Sequence, residues 1–509
     1  MNIGSNIGEG LRINAAKFPN KVGFIFEDIP YNYDQVIRRA EGLAVHLNKK
    51  GIGHGCKVCT LFYNSIELVY AYFATLMLGA VLVSINFRFI DSEIAYIVTN
   101  SDAGALLHGS EFTESVERIK KDLPGLMFTL ELNAASKDGS DYFRPPSSEE
   151  SEALKKMAPQ MTDESFINYT SGTTGKPKGV VLTHSNNIWN QLKIIIDTPL
   201  TPEEVIIGSL PIFHSSGMSR LLASVMVGGT IVSWKQFDAA RTMAAVSKYR
   251  GTFLLLVPAM AEMIFDLPDL DKYKVDSLQK CLLTAAPVSD EMKKRALKLF
   301  FNARIIDGYG LTENTSATTM LKAKDVTDKT AGVGLPDIFT EIKILNDRLL
   351  PAPTGTVGEI AVRAPTVMKG YYKNPEATAE VIKNGWLLTG DLGRIDDGGY
   401  LYVAGRKKEM IISGGENIYP AEMEALLNRH PKILESAVIG TPHPKWGETV
   451  TALIVLKEGE QMTEEEVDAY CIETMARYKR PRSIKFVDAL IKNIAGKLKK
   501  HELKKIYGS

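Results

Sequence analysis

Cysteine is scarce in this chain. Four in 509 residues cannot build the disulfide framework of a secreted protein and point to a reducing, cytoplasmic setting. Cys56 and Cys59 make a C-x-x-C, yet Cys281 and Cys471 lie far away and form no second pair. The spacing of a four-ligand zinc site is missing, and Lys57–Phe62 reads instead as a buried strand carrying Cys59. Net charge is missing as well. The 60 Lys and Arg balance the 60 Asp and Glu, which disfavours a nucleic-acid partner, because such binding needs a basic footprint. The amino-terminal MNIGSNIGEG has no basic stretch followed by an apolar one, so no secretory leader is expected. No internal repeat and no low-complexity tract occurs.

Long apolar runs are also few. Leu68–Ile85 holds 18 residues without a charge, near the minimum for a membrane span. Gly79 divides it. Glu67–Leu78 reads as a buried helix, Ala80–Ile85 as a β-branched strand, and Gly79 as the residue that ends the helix. Leu221–Trp234 repeats this helix, Gly-Gly, strand design. No transmembrane segment is therefore expected.

What is present is the texture of a large globular protein. Hydrophobic residues make up 45% and charged residues 24%, and 509 residues exceed one core, so several domains are expected. Through the first four hundred residues short Val/Ile/Leu runs (Lys57–Tyr63, Val81–Ser84, Ala105–His108, Glu204–Ser209, Thr230–Ser233, Thr252–Val257, Gln279–Thr284) alternate with helical patterns such as Tyr33–Lys49, Ala239–Lys248 and Asp290–Phe300. That order predicts layered α/β structure with largely parallel sheets. The polar stretch 130–160 reads as an exposed loop or linker. From about 340 to 407 short alternating strands predict a small β-rich subdomain of the large domain, residues 1–407. A compact α+β domain follows over 408–509.

The most informative segment is Tyr169-Thr170-Ser171-Gly172-Thr173-Thr174-Gly175-Lys176-Pro177-Lys178-Gly179, set between two short apolar strands. Its glycines let backbone N–H groups approach an anion, its hydroxyls add donors, and Lys176 and Lys178 add charge. It is not the common phosphate loop of nucleoside triphosphatases, because Pro177 follows Lys176 where Ser or Thr would stand. The segment resembles the signature loop of the adenylate-forming superfamily, which includes acyl- and aryl-CoA synthetases, the adenylation domains of peptide synthetases, and firefly-type luciferases. The resemblance spans nearly the whole chain, in the superfamily's order of motifs. It points to the acyl-CoA synthetase branch, fatty-acid or aryl-acid CoA ligases that use ATP, Mg²⁺ and CoA.

The resemblance implies roles residue by residue. The loop (Thr170 to Gly175, with Lys176 and Lys178) would close over the β- and γ-phosphates of ATP. Pro211-Ile212-Phe213-His214-Ser215-Ser216-Gly217-Met218 is similar to the segment bordering the acyl pocket, where His214 would shape the route of acid and thiol. Ala285, Ala286 and Pro287 would pack on one face of adenine; Asp307, Gly308, Tyr309 and Gly310 would pack on the other. Thr312 would donate to the α-phosphate and Glu313 would ligate Mg²⁺, a cation suited to one carboxylate plus phosphate oxygens. Asp391 would bind the ribose hydroxyls, with Arg406 contacting ribose or phosphate. Lys408 matches the hinge position. Gly414 and Gly415 would line the pantetheine tunnel, and Trp446, Tyr478 and Arg480 would meet the nucleotide end of CoA. The eleven Lys or Arg of residues 474–509, against Asp488 and Glu502, suit an anionic cofactor. Lys497 would bridge carboxylate and α-phosphate. Three departures stand out: Ile491 where proline is usual, Lys500 where arginine is usual, and Glu409 where aspartate is common.

The expected partners are thus a small-molecule carboxylic acid and CoA, acting on a monomer or homodimer. The acid is a medium or long fatty acid, or a cyclic or aromatic one. A freestanding enzyme that loads a carrier-protein thiol would use the same motifs, as would an oxidative luciferase. A nucleotide sensor would have lost Lys497, Glu313 or the loop lysines, and all are present.

Overall fold

The structure, a computed structural model, describes residues 6–123, 125–133, 141–170, 176–208, 210–284, 286, 288–322, 326, 328–329, 332–413, 416–492 and 498–508. The chain forms two compact units. The first comprises Met1–Asp328, Pro336–Glu341 and Arg363–Leu387; the second comprises Lys329–Leu335, Ile342–Val362 and Leu388–Ser509.

Two sheets organise the first unit. One runs, in spatial order, Ser316–Leu321, Arg304–Leu311, Lys280–Thr284, Phe253–Leu256, Val205–Ile207, Thr230–Ser233, Val22–Phe26 and Ile29–Asn32. Its interior strands are parallel and each end carries an antiparallel strand. The other runs Gly370–Tyr371, Lys178–Thr183, Glu164–Thr170, Val81–Ser84, Lys57–Leu61, Ala103–His108 and Phe128–Glu131. It too is parallel except at Lys178–Thr183 and Gly370–Tyr371. The layered α/β reading is therefore correct. The parallel strands are near-continuous apolar runs because helices cover both faces.

Local sequence explains the helices that bury these sheets. Asn32 and Gln35 close a capping box at the start of helix Tyr33–Lys49, and Ser65 caps Ile66–Met77. The latter is buried on all sides, from Ile66 to Met77 apart from Glu67. Gly79, at φ 63°, turns the chain into strand Val81–Ser84. The uncharged run is thus core, and among the described residues no helix is long and apolar enough to cross a membrane.

The stretch 130–160 corrects the expected loop. It contains a 3₁₀ turn, Asp141–Phe143, and helix Ser148–Lys156, capped by Ser147 and Glu150. Tyr142 and Phe143 pack against the main core, Phe143 edge-on to Tyr70 at 5.1 Å. Two aromatics in a polar background anchored it, a signal that composition averaged away.

The second unit holds a small sheet of strands that includes Gly358–Arg363, Trp386–Ile395 and Leu401–Arg406. It also holds the long antiparallel pair Ile433–His443 and Gly447–Leu456, flanked by Ile411–Ser413 and Ser483–Phe486. Two apolar clusters lie on opposite faces of that pair, one around Ile411, Met423 and Val467, the other around Ala437, Leu453 and Leu503.

Candidate active site

In the first unit, parallel pairing brings two of the predicted segments side by side. Thr284, at the end of its strand, is in register with Gly308, and its hydroxyl donates to the Gly308 carbonyl at 3.4 Å. Ala286 is half-buried beside it; Ala285 and Pro287 lie outside the described residues. The carboxyl ends of parallel strands are where α/β sheets open a ligand crevice. Gly308, Tyr309 and Gly310 continue the neighbouring strand, paired with Met320, Thr319 and Ala317 across a bulge. Gly310 admits no side chain: a Cβ there would sit 1.6 Å from the Ser316 carbonyl oxygen.

Asp307 faces away from that edge. It is buried, ion-paired to buried Lys293 at 2.8 Å, and accepts from the Gly308 N–H at 2.7 Å. Burial raises its pKa, with Lys293 opposing. Its carboxylate is thereby committed to holding the strand from beneath.

Thr312 and Glu313 open a 3₁₀ turn, Thr312–Asn314, followed by Thr315 (φ 60°) and Ser316 (φ 125°). Two successive non-glycine residues in this region store strain that the surroundings must impose. Several bonds impose it. Thr315 Oγ1 donates to the Thr366 carbonyl at 2.6 Å, and Thr366 Oγ1 donates to Asn314 Oδ1 at 2.7 Å. The Met368 N–H donates to the Glu313 carbonyl at 2.8 Å. Asn186 in turn holds the Pro365 and Val367 carbonyls. Beneath lies the buried pair Lys193 and Asp337 at 3.6 Å; burial pushes Asp337 up to about 6.

The segment after Met368 runs beside strand Lys178–Thr183. Gly370–Tyr371 pairs with Val181 and Val180 on the strand that leaves the loop. The Tyr371 hydroxyl donates to Glu313 Oε1 at 2.9 Å, and Lys178 Nζ lies 5.2 Å from the centre of the Tyr371 ring. Lys176 Nζ sits 5.5 Å from the Tyr96 ring, and Thr170 is paired with Lys178. Ser171, Gly172, Thr173, Thr174 and Gly175, the centre of the predicted loop, lie outside the described residues.

His214 caps helix Ser215–Val227, its Nδ1 facing Ser216. The residue is exposed, and desolvation by the atoms around it lowers the imidazole pKa. Three residues on, a Cβ on Gly217 would lie 2.2 Å from the Pro211 carbonyl oxygen, so glycine seats this helix on the Pro-Ile-Phe-His turn.

In the second unit, Asp391 and Arg406 are direct cross-strand partners, joined Oδ1 to Nε at 2.8 Å with Asp391 buried. Gly405 beside Arg406 has φ 142° at a bulge, and exposed Lys408 follows in the turn Lys407–Glu409. Desolvation lowers the Lys408 pKa, partly offset by Glu409. Gly414, Gly415 and Lys497 lie outside the described residues.

The flanks of residues 493–497 are described. Lys492 bridges Leu498 and the Lys499 N–H donates to the Ile491 carbonyl at 2.9 Å. Ile491, Leu498 and Tyr507 pack on the cluster of Ala437, Leu453 and Leu503. Lys500 pairs with Glu424 at 2.7 Å and Glu409 at 3.6 Å. Two of the three departures therefore meet.

Trp446 is bracketed by Lys445 and Arg482, at 5.0 and 5.1 Å from its ring centre. Arg480 turns to the carbonyls of Met475 and Ile472, capping helix Glu464–Thr474, while Tyr478 is exposed. Sequence reading did not single out Arg482, which meets Trp446, or Tyr371, which meets Glu313. Arg482 stood two residues from the residue chosen. Tyr371 had no local signal, because its partners are 58 and 193 positions away.

The profile of the AMP-binding enzyme family matches residues 11–372, and that of the AMP-binding enzyme C-terminal domain matches residues 422–497. A feruloyl-CoA synthase of an Amycolatopsis species is 34% identical over 477 residues, 94% of this chain and 94% of the relative. A long-chain-fatty-acid–CoA ligase of Mycobacterium tuberculosis is 32% identical over 513 residues, 99% of each chain. The solved structure of an o-succinylbenzoate coenzyme A synthetase from Bacillus subtilis, in complex with ATP and magnesium ion, superposes with a TM-score of 0.83 at 29% identity. The match covers 97% of this chain and 99% of that one.

Proposed function

This chain belongs to the AMP-binding enzyme family, as an AMP-forming acid–thiol ligase of the adenylate-forming superfamily, and from that premise we propose that it makes an acyl-CoA in two steps. A carboxylate oxygen attacks the α-phosphorus of ATP and pyrophosphate leaves. The thiol of CoA then attacks the acyl carbon of the acyl-adenylate, and AMP leaves with the electron pair of the broken C–O bond. The observation that carries this reading is the convergence of Lys178, Tyr371 and Glu313 beside the Gly308–Gly310 strand end.

The chemistry needs that arrangement. Carboxylate and triphosphate are both anions, so cations must meet the charge that develops between them. Lys176 and Lys178, resting on rings, are held for the departing pyrophosphate. Glu313 keeps one carboxylate oxygen without a partner among the described residues, which suits Mg²⁺ carried in on phosphate oxygens; bound there, the ion offsets phosphate charge. Thr312 is assigned to the α-phosphate, Tyr309 to the adenine face, Asp391 to the ribose and Lys497 to the acid and α-phosphate. Lys408 is assigned to the hinge of a C-terminal domain, 408–509, that turns between the two steps. The left-handed Gly405 and its bulge support a pivot there. Trp446, Tyr478 and Arg482 are assigned to CoA's nucleotide, with Gly414 and Gly415 on its pantetheine arm.

The acid proposed is a medium- or long-chain fatty acid or a cyclic or aromatic one. The relatives' names span an aryl acid and a long-chain fatty acid. Four unpaired cysteines support a cytoplasmic setting.

The test is pyrophosphate release from ATP and Mg²⁺ with a panel of fatty, aryl and cyclic acids, each with and without CoA. The expected result is release with one acid class and sustained turnover only with CoA. Acid-dependent release that CoA fails to accelerate would move the acceptor to a carrier protein. No release with any acid would overturn adenylation.

A further inference from the structure

We propose that Tyr371 is a positioning residue that couples the phosphate-loop lysine Lys178 to the metal-binding carboxylate Glu313. The inference rests on the adenylation reading above. Two features of the side chain support it. Its hydroxyl donates to Glu313 Oε1 at 2.9 Å, which fixes the carboxylate's rotation and leaves Oε2 for a cation. Its ring carries Lys178 Nζ on one face at 5.2 Å. Tyr371 is thus in contact with the group that would hold the metal and with the group that would hold phosphate.

The backbone under Tyr371 is fixed from several directions. Tyr371 N–H donates to Thr378 Oγ1 at 2.8 Å. On one side Lys369 donates its N–H to the Val181 carbonyl, at 2.9 Å, and pairs with Glu164, at 2.8 Å. On the other, the Tyr372 N–H donates to the Gly179 carbonyl at 2.7 Å. Tyr372 Oη and Lys373 Nζ both reach Asp102, at 2.9 and 2.6 Å. A strand held this way cannot drift, so the ring and hydroxyl of Tyr371 are set before any ligand arrives. A functional group built on a regular element and supported by its neighbours keeps its geometry better than one on a loop. Glu313 itself lies in the strained turn before Thr315 and Ser316, and gains a fixed orientation from this partner.

The coupling has a specific signature. If Tyr371 acts through Glu313, removing its hydroxyl should weaken the contribution of Mg²⁺ to ATP binding and leave binding of metal-free ATP alone. The experiment is calorimetric titration of ATP into the full chain, with saturating Mg²⁺ and with EDTA, for wild type, Tyr371→Phe, Glu313→Gln and the double variant. Tyr371→Phe keeps the ring and therefore the Lys178 contact. The expected result is an about tenfold rise in Kd for Mg-ATP, no change in EDTA, and no added effect of Tyr371→Phe in the Glu313→Gln background. Tyr249→Phe, which loses a hydroxyl that donates to Asp28 at 2.6 Å and supports no part of this site, serves as control and should bind both forms as wild type does. An equal rise with and without Mg²⁺ would mean a merely structural role and overturn the proposal. So would Mg-ATP binding within twofold of wild type, or additive effects in the double variant. A wild-type chain that binds ATP no better with Mg²⁺ than without would overturn the metal role of Glu313 itself, a failure distinct from that of Tyr371.

Discussion

Lysines are held in two ways in this molecule. In the first unit Lys176 and Lys178 rest over the rings of Tyr96 and Tyr371 and among the described residues neither forms an ion pair. In the second unit five lysines of the basic tail are paired: Lys479 with Glu422, Lys492 with Glu435, Lys499 with Glu502, Lys500 with Glu424 and Glu409, Lys504 with Glu448. An aromatic face steadies a cation without neutralising it, so its charge stays available to an incoming anion. A carboxylate partner fixes the side chain and consumes the charge. Four of the eleven positive residues read from 474–509 (Lys479, Lys492, Lys500 and Lys504) are thus engaged by carboxylates from elsewhere in the chain. What stays beside Trp446 is Lys445 and Arg482.

Substitution at each kind of lysine tests the contrast. The largest effect is expected at Lys178. Lys178→Met should lower acid-dependent pyrophosphate release by roughly 10²–10³-fold, the scale of losing one donor to developing charge. A loss below tenfold would break the contrast at its strongest point.

Next in size is a pH effect confined to the first unit. His184 is buried, its Nδ1 accepting from the Ile7 N–H at 3.3 Å, and desolvation lowers it from 6.5 to about 4. The folded imidazole stays neutral while the unfolded one takes a proton, so this stability is full above pH 6.5 and is lost as pH falls towards 4. The shift corresponds to about 3 kcal/mol. Urea melts at pH 7 and pH 4.5 should show the loss in wild type and a flatter profile in His184→Gln; parallel profiles would refute it. No pairing of acid and base is needed for this sensitivity, unlike that of the salt-bridged tail.

Lys500→Met is expected to cost about tenfold in adenylation, through misplacement of the neighbouring loop, with thioester formation from supplied acyl-adenylate unchanged. Equal loss in both steps would assign Lys500 to general stability instead. The smallest effect belongs to Lys504→Met. Its pair with Glu448 is exposed and should contribute less than about 1 kcal/mol and under twofold in turnover. A thermal melt and one rate suffice to check it.

The sequence was most readable where a function needs adjacent residues. The phosphate loop, the Tyr309–Glu313 run and Asp391 are short strings whose proposed chemistry is local, and the strands Val81–Ser84 and Thr230–Ser233 follow from their β-branched runs. It was least readable where a role depends on strand register. Asp307 sits in a string that looks like a nucleotide contact, yet a helix folded beneath it supplies Lys293 and turns the carboxylate inward. Tyr371 lies in an ordinary Gly-Tyr-Tyr and acquires its partners only through pairing with Val180. Arg480 and Arg482 alternate along the chain, and which one meets Trp446 was decided by the strand that starts at Ser483.

Ile491 carries a broader lesson about variation. The superfamily pattern that the sequence resembles has proline there, and its absence reads as lost stiffness. Here the position contributes a carbonyl to Lys499 and an apolar side chain to the cluster around Leu453. A proline retains its carbonyl, so both residues can satisfy the same hydrogen bond. What this position supplies to the start of helix Lys500–Tyr507 is therefore a backbone acceptor, which either residue provides.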